Sequence, residues 1–93
     1  MTPSNVPKID LTTFFLSISS AAFIGLGISP PGYGEPPEVN LDLAKQNIDL
    51  LELMQEKTKG NLSTEENRLL EQLLFETRLR FIEVQKKVQE KKK

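Results

Sequence analysis

Hydrophobic and polar residues alternate along this chain in three helical patterns. The first, LTTFFLSISSAAFIGLGI, Leu11 to Ile28, runs eighteen residues without a charge. Asp10 or Thr12 suits its N-cap and Gly25 or Gly27 its stop, so it reads as a helix over 10–28. The second opens on Asn40, a good N-cap, with Asp42 in the first turn. Leu41, Ala44, Ile48 and Leu51 follow helical spacing, and Leu43, Leu50 and Met54 form a neighbouring row. Lys45, Asp49, Glu52 and Glu56 supply the polar face, giving a helix over 40–59. Asn47 falls inside the second row, where a polar residue can set register between helices or simply mark a wet edge.

The third pattern covers 63–88. Its main stripe is Leu69, Leu70, Leu73, Leu74, Phe81, Val84 and Val88, with Thr77 filling a gap. Phe75, Leu79 and Ile82 make a second stripe on another side. A helix apolar on two sides needs cover on two sides. At about 25 residues it is about 37 Å long, against about 27 Å for the second helix. A hairpin partner of that length leaves the part near Phe81 to Val88 for the first helix or for a second protomer. Arg78 and Arg80 lie in this apolar region, placed to pair with an acidic neighbour while their stems cover apolar surface.

The breaks between patterns are as informative. SPPGYGEPPE, Ser29 to Glu38, holds four prolines and two glycines, which excludes helix and strand. A stiff linker over 29–39 results, without the basic neighbours of a proline-rich ligand motif. QEKTKGNLSTEE, Gln55 to Glu66, superficially resembles a phosphate loop. Its order departs from G-x-x-x-x-G-K-[ST], no strand precedes it, and Glu65 and Glu66 occupy the helix start where an anion would bind. Lys57 and Lys59 suit a helix C-terminus, Gly60 a left-handed stop, and Ser63 with Glu66 an S-x-x-E capping box. Leu62 stands where a hydrophobic staple begins, although Asn67 is a poor partner for it. The segment is a hairpin corner.

Inside the first helix Thr13, Ser17, Ala21 and Gly25 recur every four residues, so one stripe is small. Such a stripe lets another backbone come close, within the fold or across a dimer. Leu11, Phe14, Phe15, Ile18, Ala22, Phe23 and Leu26 supply bulk beside it. Candidate helix-packing or oligomer residues are therefore Thr13, Ser17, Ala21, Gly25, Phe75, Leu79, Phe81 and Ile82.

Composition removes most chemistry. Ninety-three residues make one small domain, whose core is marginal without a disulfide, metal or second subunit. Cys and His are both absent, which excludes disulfides, the usual zinc ligands and most nucleophile–base pairs. Carboxylate pairs such as Glu52 with Glu56, and Glu65 with Glu66, fall on solvated helix faces rather than in a sheltered pocket. No catalytic residue, cofactor or metal is expected; self-association is the remaining way to complete the core. The net charge of −1 hides an asymmetry: residues 1–77 carry five basic and eleven acidic side chains, residues 78–93 seven and two. The basic tail, 89–93, reads as a solvated helix end. Nucleic-acid binding is disfavoured, since Glu83 and Glu90 interrupt the charge and only Phe81 is aromatic nearby. Five of the eighteen uncharged residues are Ser or Thr and two more are Gly, which is too polar for a membrane span. A secretory leader's positive start is also missing. Residues 1–9 read as a loose arm.

The run VNLDLAKQNIDLLELMQEKTKGNLSTEENRLLEQLLFETRLRF, preceded by DLTTFFLSISSAAFIGLG and a Pro/Gly connector, resembles a small bacterial family, domain of unknown function 1844. EKTKGNL is the most specific element of the likeness, which covers Asp10 to Phe81. It implies a bacterial, cytosolic helical protein and brings no catalytic residues. The expectation is an all-α protein: an apolar N-terminal helix, a Pro/Gly linker and an antiparallel helical hairpin, completed by homo-oligomerisation. Its expected role is a non-enzymatic interaction module for its own copies or another protein. A peripheral membrane adaptor using the first helix and the basic tail is the alternative.

Overall fold

A computed structural model describes residues 10–29 and 34–91. The arm over 1–9, residues 30–33 of the linker and the last two lysines lie outside the described residues. The fold is all-α: three helices, α1 (Leu11–Gly25), α2 (Leu41–Lys57) and α3 (Thr64–Lys91), with no strand among the described residues. Each helix packs against both of the others.

Local chemistry sets the helix starts and the stop of α1. The Asp10 carboxylate accepts the Thr13 N–H at 2.8 Å and starts α1. Helix α1 stops three residues before the uncharged run ends, because Gly27 takes a positive φ of 80°. The Gly27 N–H donates to the Ile24 carbonyl and the Ile28 N–H to the Phe23 carbonyl, the paired bonds of a Schellman stop. The Asn40 side chain accepts the Leu43 N–H at 3.1 Å and starts α2, which ends at Lys57, two residues before Lys59. Helix α3 continues to Lys91, three residues beyond Val88. No Gly or Pro interrupts it after Gly60, and the lysines favour the negative end of its dipole.

The core is a three-way contact. Phe15, Ile18 and Ala22 of α1 meet Ile48 and Leu51 of α2 and Leu70, Leu73 and Leu74 of α3. Leu11, Met54, Leu62, Leu69 and Phe81 close its margins. Helix α1 thus shares with α2 the cover of this α3 stripe. Thr77 is fully buried within this stripe. Its hydroxyl donates to the Leu73 carbonyl at 2.7 Å, so its polarity is satisfied inside its own helix.

The tightest approach joins α1 to α2. A Cβ at Gly25 would lie 2.7 Å from the Ala44 nitrogen and 3.0 Å from the Asn40 oxygen, so only glycine fits. The Asn40 N–H donates to the Gly25 carbonyl at 2.7 Å, tying the end of the linker to the end of α1. One of the orphan carbonyls at the α1 terminus is thereby satisfied by the start of α2.

Candidate interaction surface

The hairpin corner is a stack of local signals. The Thr58 N–H closes the last α2 turn on the Met54 carbonyl, and the Asn61 N–H returns to the Thr58 carbonyl at 2.8 Å. Gly60, between them, has φ 85° and open space around its α-carbon. The Ser63 N–H then donates to Glu66 Oε1 at 2.8 Å, and the Glu66 N–H to Ser63 Oγ at 3.1 Å. This reciprocal pair satisfies two donors at the α3 start with a negative group at the positive dipole end. Leu62 is half-buried against the core beside it. The corner's groove, lined by Glu52, Glu56, Glu71, Lys59 and Asn67 among others, carries more negative than positive side chains. It positions helices and offers no anion cradle.

Helix α3 has two faces of opposite fate. Leu70, Leu73, Leu74 and Thr77 are buried, whereas Phe75, Leu79 and Ile82 on the far side are 67%, 46% and 49% exposed. The spacing of 4 and 3 between those three keeps them in one row. Leu79 forms a ridge between two open grooves. One groove lies toward α1, with Ser20, Phe23, Ile28, Glu76 and Arg80 in its walls. The other lies toward α2, with Gln55, Glu71, Phe75, Arg78 and Ile82. Arg78 donates through Nε and Nη2 to Glu52 Oε1, at 3.2 and 2.7 Å, bridging α3 to α2 along the second groove. Arg80 pairs with Glu83 on its own helix at 3.2 Å. Phe81 differs from its neighbours in the candidate set, being half-buried against the core.

On α1 the four small residues separate. Gly25 is buried at the α2 crossing, Ala21 is half-buried, and Thr13 and Ser17 are exposed. The Ser17 hydroxyl donates back to the Thr13 carbonyl at 3.0 Å. The contact inside the chain instead runs through Leu11, Phe15, Ile18, Ala22 and Leu26, with Gly25 alongside. Spacing of 4, 3, 4 and 4 along those residues carried the signal, but in an uncharged helix no polar face opposes it. Phe14 and Leu16 remain outside, 42% and 45% exposed. Neither Leu16 nor two further exposed positions, Leu53 on α2 at 47% and Val39 at the linker's end at 42%, fell on a stripe named from spacing.

Among the described residues no helix is long and apolar enough to cross a membrane. No group of three or more acidic side chains there is placed to hold a metal ion.

Residues 8–83 match the family model described as Domain of unknown function (DUF1844). The chain belongs to that family. The match takes in α1, α2 and most of α3, including the corner and the Phe75–Leu79–Ile82 row, so these DUF1844 residues are part of the shared domain rather than an appendage. Neither curated proteins nor solved structures give a match.

Proposed function

We propose that this DUF1844 protein is a non-enzymatic helical interaction module of the bacterial cytoplasm that associates with its own copies. The observation that carries this reading is the exposed row of Phe75, Leu79 and Ile82 on a helix whose opposite face already fills the core. Fully exposed large side chains occur singly on most surfaces, but a row on one helix marks a contact waiting for a partner. The aromatic member, Phe75, is at 67% the most exposed of the ten large apolar side chains left outside among the described residues. Self-association is favoured over membrane attachment because α1 uses Phe15, Ile18 and Ala22 in the core. Inserting α1 into lipid would require that core to open.

Sedimentation equilibrium across low to high micromolar concentration tests the proposal. Reversible association that Leu79→Glu abolishes, with unchanged helicity by circular dichroism, is the expected result. A folded monomer at every concentration removes self-association. Co-flotation with anionic vesicles would move the reading to a membrane surface.

A further inference from the structure

We infer that the partner of the exposed α3 face is the same face of a second copy, laid antiparallel about a two-fold axis near Leu79. This rests on the self-association proposed above and adds its surface, orientation and symmetry. The α3 row does not end at its apolar residues. Arg68 lies seven residues before Phe75 and Lys86 four after Ile82, so both continue the same stripe, and all five side chains are exposed. The stripe is thus apolar in the middle and cationic at both ends.

The residues level with those two ends decide the orientation, since antiparallel packing still leaves Arg68 about 6 Å along the axis from the Lys86 of the second copy. In a parallel pair Arg68 would face Arg68 of the second copy and Lys86 would face Lys86, like charges on the contact line. In an antiparallel pair centred on Leu79, position 68 faces position 90, and 86 faces 72. Arg68 then meets Glu90, while Lys86 lands on Gln72 beside Glu71, twice each by symmetry. Glu71, Gln72 and Glu90 are all exposed and lie close to the stripe. The wider charge follows the same sense. Residues 64–77 carry four acidic side chains and one basic, and residues 78–91 five basic and two acidic. Antiparallel packing sets the acidic half of one helix against the basic half of the other and also opposes the two helix dipoles. An isologous contact of this kind closes on itself and stops at two copies.

The area sets the strength. Phe75, Leu79 and Ile82, at 67%, 46% and 49% exposure, leave about 300 Å² of apolar surface per copy. The stripe from Arg68 to Lys86 is about 27 Å long, and its polar stems bring the contact to about 1,200 Å² in total, the lower edge of stable interfaces. The geometry therefore gives a reversible, salt-sensitive dimer rather than an obligate one.

The chain has no cysteine, which makes cross-linking between copies of this chain direct. Three single variants, Gln72→Cys, Leu79→Cys and Lys86→Cys, are oxidised alone and in mixtures. Leu79→Cys is expected to link to itself. Gln72→Cys and Lys86→Cys should link efficiently only when mixed. In parallel, sedimentation compares Glu71→Lys, Lys86→Glu and the double variant. Each single reversal should weaken the dimer about tenfold, from two symmetric rim pairs, and the double variant should recover most of it. Self-linking of Gln72→Cys alone overturns the antiparallel arrangement. A dimer that survives Leu79→Glu keeps self-association and overturns this face. A monomer throughout overturns both.

Discussion

Replacing Gly25 with Ala is the most direct probe of how α1 and α2 meet. The added Cβ would stand 2.7 Å from the Ala44 nitrogen, 3.0 Å from its α-carbon and 3.0 Å from the Asn40 oxygen. Comfortable contact starts near about 3.5 Å. All three neighbours are backbone atoms, so no side chain can rotate aside. Relief requires α2 to move by several tenths of an ångström. Overpacking of this kind costs about 1–3 kcal/mol. Movement of α2 also stretches the 2.7 Å bond from the Asn40 N–H to the Gly25 carbonyl, worth about 1 kcal/mol. Against these stands the better helix propensity of Ala, about 1 kcal/mol in its favour. The net expectation is a loss of about 2 kcal/mol, or about 8–16 °C in Tm for a domain of this size.

Thermal and urea denaturation followed by circular dichroism measure that loss. Gly60→Ala is the control, because Gly60 has φ 85° with nothing within 4 Å. It isolates backbone strain without a clash and should cost about 1 kcal/mol. A second comparison separates clash from side-chain crowding. Ala44→Gly removes the Ala44 Cβ but leaves the nitrogen and α-carbon that the new methyl meets, so it should not rescue Gly25→Ala. Rescue by Ala44→Gly, or a Gly25→Ala protein within about 0.5 kcal/mol of the parent, would refute the close backbone approach.

Three further outcomes follow from the same geometry. Ser63→Ala removes the acceptor of the Glu66 N–H and should cost about 1 kcal/mol in urea unfolding, while Ser63→Asp, which keeps an acceptor and adds favourable charge, should retain stability. Hydrogen bonding from the Thr13 N–H, and then from its hydroxyl, holds the Asp10 carboxyl below its ordinary pKa. Because the folded value is the lower one, this cap stabilises above about pH 4 and is lost as the pH falls through the folded value; Asp10→Asn should flatten that part of the stability–pH curve. Glu52→Gln weakens the pair with Arg78, but both side chains are about half exposed, at 45% and 50%. The loss should stay below about 1 kcal/mol and shrink further in high salt, as read from paired melts.

Much of the fold was legible because its signals are local. Asn40 caps α2, Gly60 and the Ser63–Glu66 box turn the chain, and Leu70, Leu73 and Leu74 show their common face by spacing alone. Helix α1 resisted for a physical reason. It has no charged residue to mark a solvent side, so the stripe through Thr13 and Ser17 and the stripe through Phe15 and Ile18 have equal claim by period. The choice between them is made in three dimensions, where the Gly25 carbonyl takes the Asn40 N–H and Ala44 closes on the glycine. Those residues are fifteen or more apart, and the intervening Pro/Gly linker hides the contact from any local pattern. The stop at Gly27 rather than at the end of the apolar run likewise depends on a backbone angle, for which either of two glycines qualified.

The exposed α3 face shows a different limit. Periodicity identified two apolar faces on α3 but could not say which of them the chain would cover itself. That depends on where α1 settles, and α1 settles on the Leu70–Leu73–Leu74 side. Three helices suffice to bury one face of α3 and leave Phe75, Leu79 and Ile82 outside. Had α1 lain on that side, the main stripe would have been the one left exposed. The exposed row thus depends on where α1 packs, and the Gly25–Ala44 crossing holds α1 against α2. A variant that loosens that crossing should change association as well as stability, although it touches no residue of the α3 face.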